Sequence, residues 1–218
     1  MLGINRYINT NDWVSLLCLF LFLILAIARS ISPYHFKNFM FLIATDKHLK
    51  THKDDGTKRK LHYFLCAFYF LSLPLLFTKF ISSTQLGYKF TPIVFLKVFA
   101  LYLGFFSLKH ILEKSLGLIF KKNTLVNNYL FHKQSYYNYI SIAFFPFILI
   151  SIYYPDIYPL FFYVMIGAYC FFHIFTTITV INNHRNVIFN SSFYFILYIC
   201  SFEIAPYILS FFVITKIS

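Results

Sequence analysis

Glu203 stands out chemically, because it is an acid inside a long apolar run. A carboxylate in such a setting is costly to ionise and is by default a candidate for function. Its helical face carries Cys200, Pro206, Tyr207 and Ser210. Pro206 has no N–H for the carbonyl of Phe202, so a kink is expected beside the acid. His173 is the partner expected by depth, with Tyr169, Cys170, Thr176 and Thr177 around it. Lys97 is a second possible partner, and Lys109 can pair with Glu113 at i, i+4 or snorkel to the membrane surface. Two readings of Glu203 with His173 follow. One is a proton or ion path, or a polar substrate site. The other, which we prefer, is a hydrogen-bonded pair that fixes helix packing, because one acid and one histidine make a thin relay.

Other chemistry finds little support. The chain has six glycines and no phosphate-binding glycine loop, and no HExxH, GxSxG or paired-aspartate motif occurs. Among His62, His110 and His173 no second mid-membrane histidine faces His173, so no haem, other cofactor or metal is expected. Cys18, Cys66, Cys170 and Cys200 lie in separate apolar runs and read as packing residues. These absences argue against an enzyme. Nucleic acid is not expected either, because the net charge of +12 has a topological explanation.

Hydrophobic residues make up 59% of the 218 and charged residues 12%. One soluble core cannot hide that much apolar surface, whereas lipid can. Six stretches are long enough to span: about 13–28, 61–82, 91–111, 137–154, 160–181 and 193–214. The expected fold is therefore all-α, a polytopic bundle of about six transmembrane helices forming one domain over 1–218. The first stretch reads as an uncleaved anchor, since only Arg6 precedes it and Arg29 follows it. Pro155 to Pro159 reads as a tight turn between the fourth and fifth spans.

Charge sets the orientation. Thirteen Lys and Arg fall on one side of a six-span chain and four on the other, so both termini are expected outside. The basic loop 29–60 then faces the cytoplasm. After Pro33, the spacing of Phe36, Phe39, Met40 and Ile43 predicts a short amphipathic helix on the inner leaflet. The tract that follows, ending in Lys58, Arg59 and Lys60, is expected to stay solvated and mobile. It can hold topology, or meet anionic lipid or a partner.

The run Leu197-Tyr198-Ile199-Cys200-Ser201-Phe202-Glu203-Ile204-Ala205-Pro206 resembles the C-terminal signature of a family of Bacteroidetes inner-membrane proteins, domain-of-unknown-function family 4271. Here Ile199 stands where the family has Leu. Leu108-Lys109 followed by Gly117 and Phe120 also resembles that family's third-helix pattern. The resemblance implies a multi-pass protein of a Gram-negative inner membrane. The small loops and missing motifs lead to an expected role as a non-enzymatic accessory or scaffold subunit. It would pack against an inner-membrane protein partner within the bilayer, in a setting such as envelope protein secretion or gliding. The alternative is a small proton-coupled transporter or channel centred on Glu203.

Overall fold

A computed structural model describes residues 12–41, 56–83, 90–119, 123–154 and 159–183. Among the described residues there are six helices and no strand: α1 (Asp12–Ile31), α2 (Pro33–Met40), α3 (Gly56–Ser83), α4 (Pro92–Ile119), α5 (Asn123–Tyr153) and α6 (Pro159–Asn183). The all-α expectation holds. Four of these helices, α1, α3, α4 and α5, contain stretches long and apolar enough to cross a membrane, and α6 has a shorter apolar stretch, Tyr163–Thr179. This is the make-up of a membrane protein. The sixth expected span, 193–214, lies outside the described residues, as does most of the 155–159 turn.

Local chemistry explains several helix ends. Asp12 and Arg29 sit in the first and last turns of α1, each matched to the sign of the helix dipole there. Pro33 opens α2, where its missing N–H costs nothing, and the Phe36 N–H donates to the Ser32 carbonyl. Pro74 lies inside α3 and Pro146 inside α5. The Thr78 hydroxyl donates to the Pro74 carbonyl at 2.7 Å, one turn on.

The centre of the bundle is the pair α3 and α5. Both pack on α4, and α3 also packs on α1 and α5 on α6. Their seam is partly polar. Ser72 and Ser141 share a hydrogen bond of 2.7 Å, and the Asn138 amide donates to Cys66 Sγ at 3.5 Å. Aromatic rings fill the remainder: Tyr69 stacks on Tyr137 with centroids 6.1 Å apart, and Phe68 meets Phe145 edge-on at 5.1 Å.

The contacts also fix direction. Cys66 meets Asn138 and Ser72 meets Ser141, so α3 and α5 run parallel. Trp13 meets Phe95, Phe77 meets Tyr102 and Tyr69 meets Phe106, so α4 runs with α1 and against α3. Tyr137 meets His173 and Phe144 meets Tyr169, so α6 runs against α5. The long helices therefore alternate. One end of the bundle holds eight of the ten described basic residues: Arg29, Lys37, Lys58, Arg59, Lys60, Lys109, Lys114 and Lys133. Lys79 and Lys97 lie toward the other end.

At the basic end the helices outrun the expected spans. The structure places α5 from Asn123, whereas hydropathy places the span from 137. The extra turns carry Asn127, Asn128, His132, Lys133 and Gln134, yet Val126, Tyr129, Lys133 and Tyr136 are buried in them. A hydropathy scan detects only the lipid-facing length. A helix that continues past it and buries a mixed face against neighbours reads as loop. In the same way α4 continues to Ile119 and α3 begins at Gly56.

Two expectations about the first loop are corrected. Lys58 is not solvated: it lies in α3, 2% exposed, with Nζ 5.2 Å from the Phe131 ring centroid. Its stem packs while its charge meets an aromatic face. Arg59 and Lys60 are exposed as expected. Phe39 is not a lipid contact, because it is fully buried and packs with Ala28, Leu61 and Tyr139. The amphipathic helix exists as α2, with its apolar face turned onto the protein; Phe36 is half-buried and Met40 exposed. Ile43 lies outside the described residues.

Candidate functional site

The elements that outrun their spans build a polar site at the basic end of the bundle. Glu113 on α4 and Lys133 on α5 form an ion pair of 2.7 Å, at 6% and 5% exposure. Lys133, on the neighbouring helix, is a partner of Glu113 that the sequence reading did not name. The close approach of α4 and α5 brings the two together. At Gly117 an added Cβ would lie 3.1 Å from Cβ and Cγ2 of Val126. A larger residue here would press on the Val126 side chain, so glycine eases the close approach of the two helices near their link. Glu113 then reaches across the hairpin to Lys133.

Lys133 does more than neutralise Glu113. Its Nζ lies 5.4 Å from the Tyr129 ring centroid and 5.9 Å from that of Tyr137. Tyr137 connects this end to α6: its ring stacks on His173 at 3.9 Å, and its hydroxyl lies 3.4 Å from Thr177 Oγ1. Gln134 donates to Asn138 at 2.9 Å, continuing the polar seam toward Cys66.

Around the ion pair lies a cavity of about 470 Å³ between α3, α4 and α5. Its walls include His62, Cys66, Lys109, His110, Lys114 and Gln134, with Phe70, Phe106 and Tyr137 among its apolar members. A neighbouring cavity of about 430 Å³ shares His62, Tyr63, Asn127 and Phe131 and adds Lys58 and Arg59. The His62 ring packs on Phe131 at 4.7 Å. No group of three His, Cys, Asp or Glu that could hold a metal occurs among the described residues.

The candidates named from the sequence do not gather here as a set. Glu203 and Pro206 lie outside the described residues, so the proposed contact of Glu203 with His173 does too. His173 is buried, stacked on Tyr137 and tilted against its own-helix neighbour Tyr169, and Thr176 donates to its carbonyl; Cys170 is exposed. Lys97 is exposed on α4. Lys109 does line the larger cavity. Sequence reasoning missed Lys133 because it stood in an apparent loop. A usable signal was present: Glu113 and Lys133 are equally far from Asn123, so an antiparallel hairpin turning near that point sets them opposite each other.

Residues 14–214, nearly the whole chain, match the family model described as a domain of unknown function (DUF4271). No curated protein and no solved structure matches the chain significantly.

Proposed function

The chain belongs to the DUF4271 family, and from that membership and the geometry above we propose a six-span scaffold or accessory subunit of a bacterial inner-membrane complex, without enzymatic activity of its own. Its termini lie in the periplasm and its basic end in the cytoplasm. Support for the orientation is the eight-to-two division of described basic residues between the two ends of the bundle. A complex that serves envelope protein secretion or gliding is the setting we favour, by analogy alone.

The observation that carries the scaffold reading is α4. Almost none of its most apolar stretch is covered by the described chain. Its inward side is an aromatic seam of Phe95, Phe99, Tyr102 and Phe106. Its outward side carries Ala100, Gly104, Leu108 and Ile111 at i, i+4, i+8 and i+11, all exposed. A Cβ at Gly104 would meet nothing within 4 Å. Helices associate in lipid by close backbone approach at small residues, since apolar area alone gains nothing over lipid. Ala100 and Gly104 give α4 such a place, and the partner is a transmembrane helix of another inner-membrane protein.

Two experiments test this. Alkaline phosphatase fused after Ser218 should be active and a fluorescent protein fused there dark; the reverse pattern sinks the six-span topology. Gentle detergent extraction should recover a stoichiometric membrane partner, and Gly104→Leu should lower its recovery at least fivefold while the protein accumulates normally. Unchanged recovery from the Gly104→Leu strain removes α4 as the contact.

A further inference from the structure

We propose that the cavity between α3, α4 and α5 is a binding site for a phosphate-ester anion, supplied by the headgroup of an anionic phospholipid. The site is separate from the small-residue flank of α4; it rests on the proposed orientation of the basic end and not on the scaffold role.

Charge is the first argument. Lys58, Arg59, Lys109, Lys114 and Lys133 line the two adjoining cavities, against the single carboxylate of Glu113 among their described residues. Lys133 sits on that carboxylate at 2.7 Å and cancels it locally. The balance is cationic, and His62, Asn127 and Gln134 add hydrogen-bonding groups to the same walls. Cationic pockets between helices at the cytoplasmic end of a membrane protein suit acidic lipid headgroups.

The second argument is the gradient along the walls. From the basic end inward, α3 presents His62, then Cys66, then Phe70. Running the other way, α4 presents Glu113, then Lys109, then Phe106. Along α5 the order is Asn127, then Lys133, then Tyr137. Because α3 and α5 are parallel and α4 antiparallel to them, all three walls end on an aromatic ring at the inner end, Phe70, Phe106 and Tyr137, while the charged groups stand nearer the basic end with Tyr63, Leu130 and Phe131 among them. A charged mouth over an aromatic floor matches a molecule with an anionic head and an apolar body. A compact soluble anion would use only the mouth. The volume of about 470 Å³ is within the range that takes a ligand of headgroup size.

The test uses the full chain in a neutral detergent. Phosphatidylglycerol, phosphatidylcholine and soluble glycerol phosphate are titrated separately, with binding followed by native mass spectrometry and by the rise in melting temperature. Phosphatidylglycerol should bind saturably and at least tenfold tighter than phosphatidylcholine. It should also bind at least tenfold tighter than glycerol phosphate, which lacks the apolar body. Glycerol phosphate binding as tightly as the lipid would keep the anion chemistry and assign its source to a soluble ester. The double change Arg59→Gln with Lys114→Gln alters two exposed side chains and should weaken phosphatidylglycerol at least tenfold without moving the melting temperature of the lipid-free protein. Lys97→Gln, toward the opposite end, should leave binding unchanged. Equal binding of phosphatidylcholine and phosphatidylglycerol overturns the proposal. So does full affinity in the folded double variant. The headgroup comparison on the unaltered chain stands even if that variant fails to fold.

Discussion

Lys133→Met should destabilise the protein by about 3–5 kcal/mol, because it leaves the Glu113 carboxylate buried without its ion partner. For a chain of this size that corresponds to a fall in melting temperature of about 6–20 °C, readable in detergent by loss of the monodisperse species on heating. Glu113→Leu on its own should cost a similar amount by stranding the Lys133 ammonium. The double variant Glu113→Leu with Lys133→Met should recover most of the loss, since a packed apolar pair replaces a buried ion pair at little net cost. The coupling between the two positions is then large and of restoring sign. Single losses below about 0.5 kcal/mol, the range of surface substitutions, would mean that water screens the pair and that the α4–α5 contact is looser than described.

Phe39→Ala should cost about 3–5 kcal/mol, the usual range for emptying a buried phenyl site. Phe39 is 0% exposed and joins α2 to Ala28, Leu61 and Tyr139. Met40, the next residue along, is exposed, and Met40→Ala should change stability by no more than about 0.5 kcal/mol. Limited proteolysis of inverted vesicles gives an independent readout. In the Phe39→Ala protein α2 should become a cleavage site, and in the Met40→Ala protein it should stay protected. Equal protection in both variants would return α2 to the lipid surface and remove its docking onto the protein.

The difference between these two neighbours shows what the sequence could reveal. The spacing of Phe36, Phe39 and Met40 specifies a helix with one apolar face, and Pro33 marks its start. It does not specify whether that face meets lipid or protein, because both are apolar. The same ambiguity governs the long helices. Their apolar lengths were legible from Trp13, Leu61, Thr91 and Leu160 onward, since lipid imposes a minimum run of about 20 residues. Their polar continuations were not. Asn123 to Tyr136 looks like a loop until Tyr129, Lys133 and Tyr136 are seen buried against α3 and α4. Lys58 was hidden in the same way, since a lysine beside Arg59 and Lys60 reads as one more solvated charge. Its burial depends on Phe131, on a helix more than seventy residues away. The candidate site is built from such continuations. Lys58, Arg59, Lys109 and Glu113 were therefore each named separately from the sequence, but not brought together around Lys133.

The parallel course of α3 and α5 bears on how the protein is made. Two neighbouring helices that point the same way cannot be consecutive crossings, so the centre of the bundle must wait for α4 to be laid down between them. Ser72 and Ser141 are 69 residues apart in the chain, which at about 5–20 residues per second of synthesis is a delay of about 3–14 s. Throughout that interval the inner face of α3 has lipid or the translocation machinery, and not α5, as its neighbour. The hydroxyl of Ser72 also lies 3.4 Å from the Tyr69 carbonyl of its own helix. A serine that can hydrogen-bond within its own turn can wait in lipid without a stranded donor until Ser141 joins it when α5 arrives. The polar groups at the middle of the bundle are thus of a kind that a nascent chain can hold safely half-assembled, while the charged pair Glu113 and Lys133, only 20 residues apart, completes itself almost as soon as it leaves the ribosome.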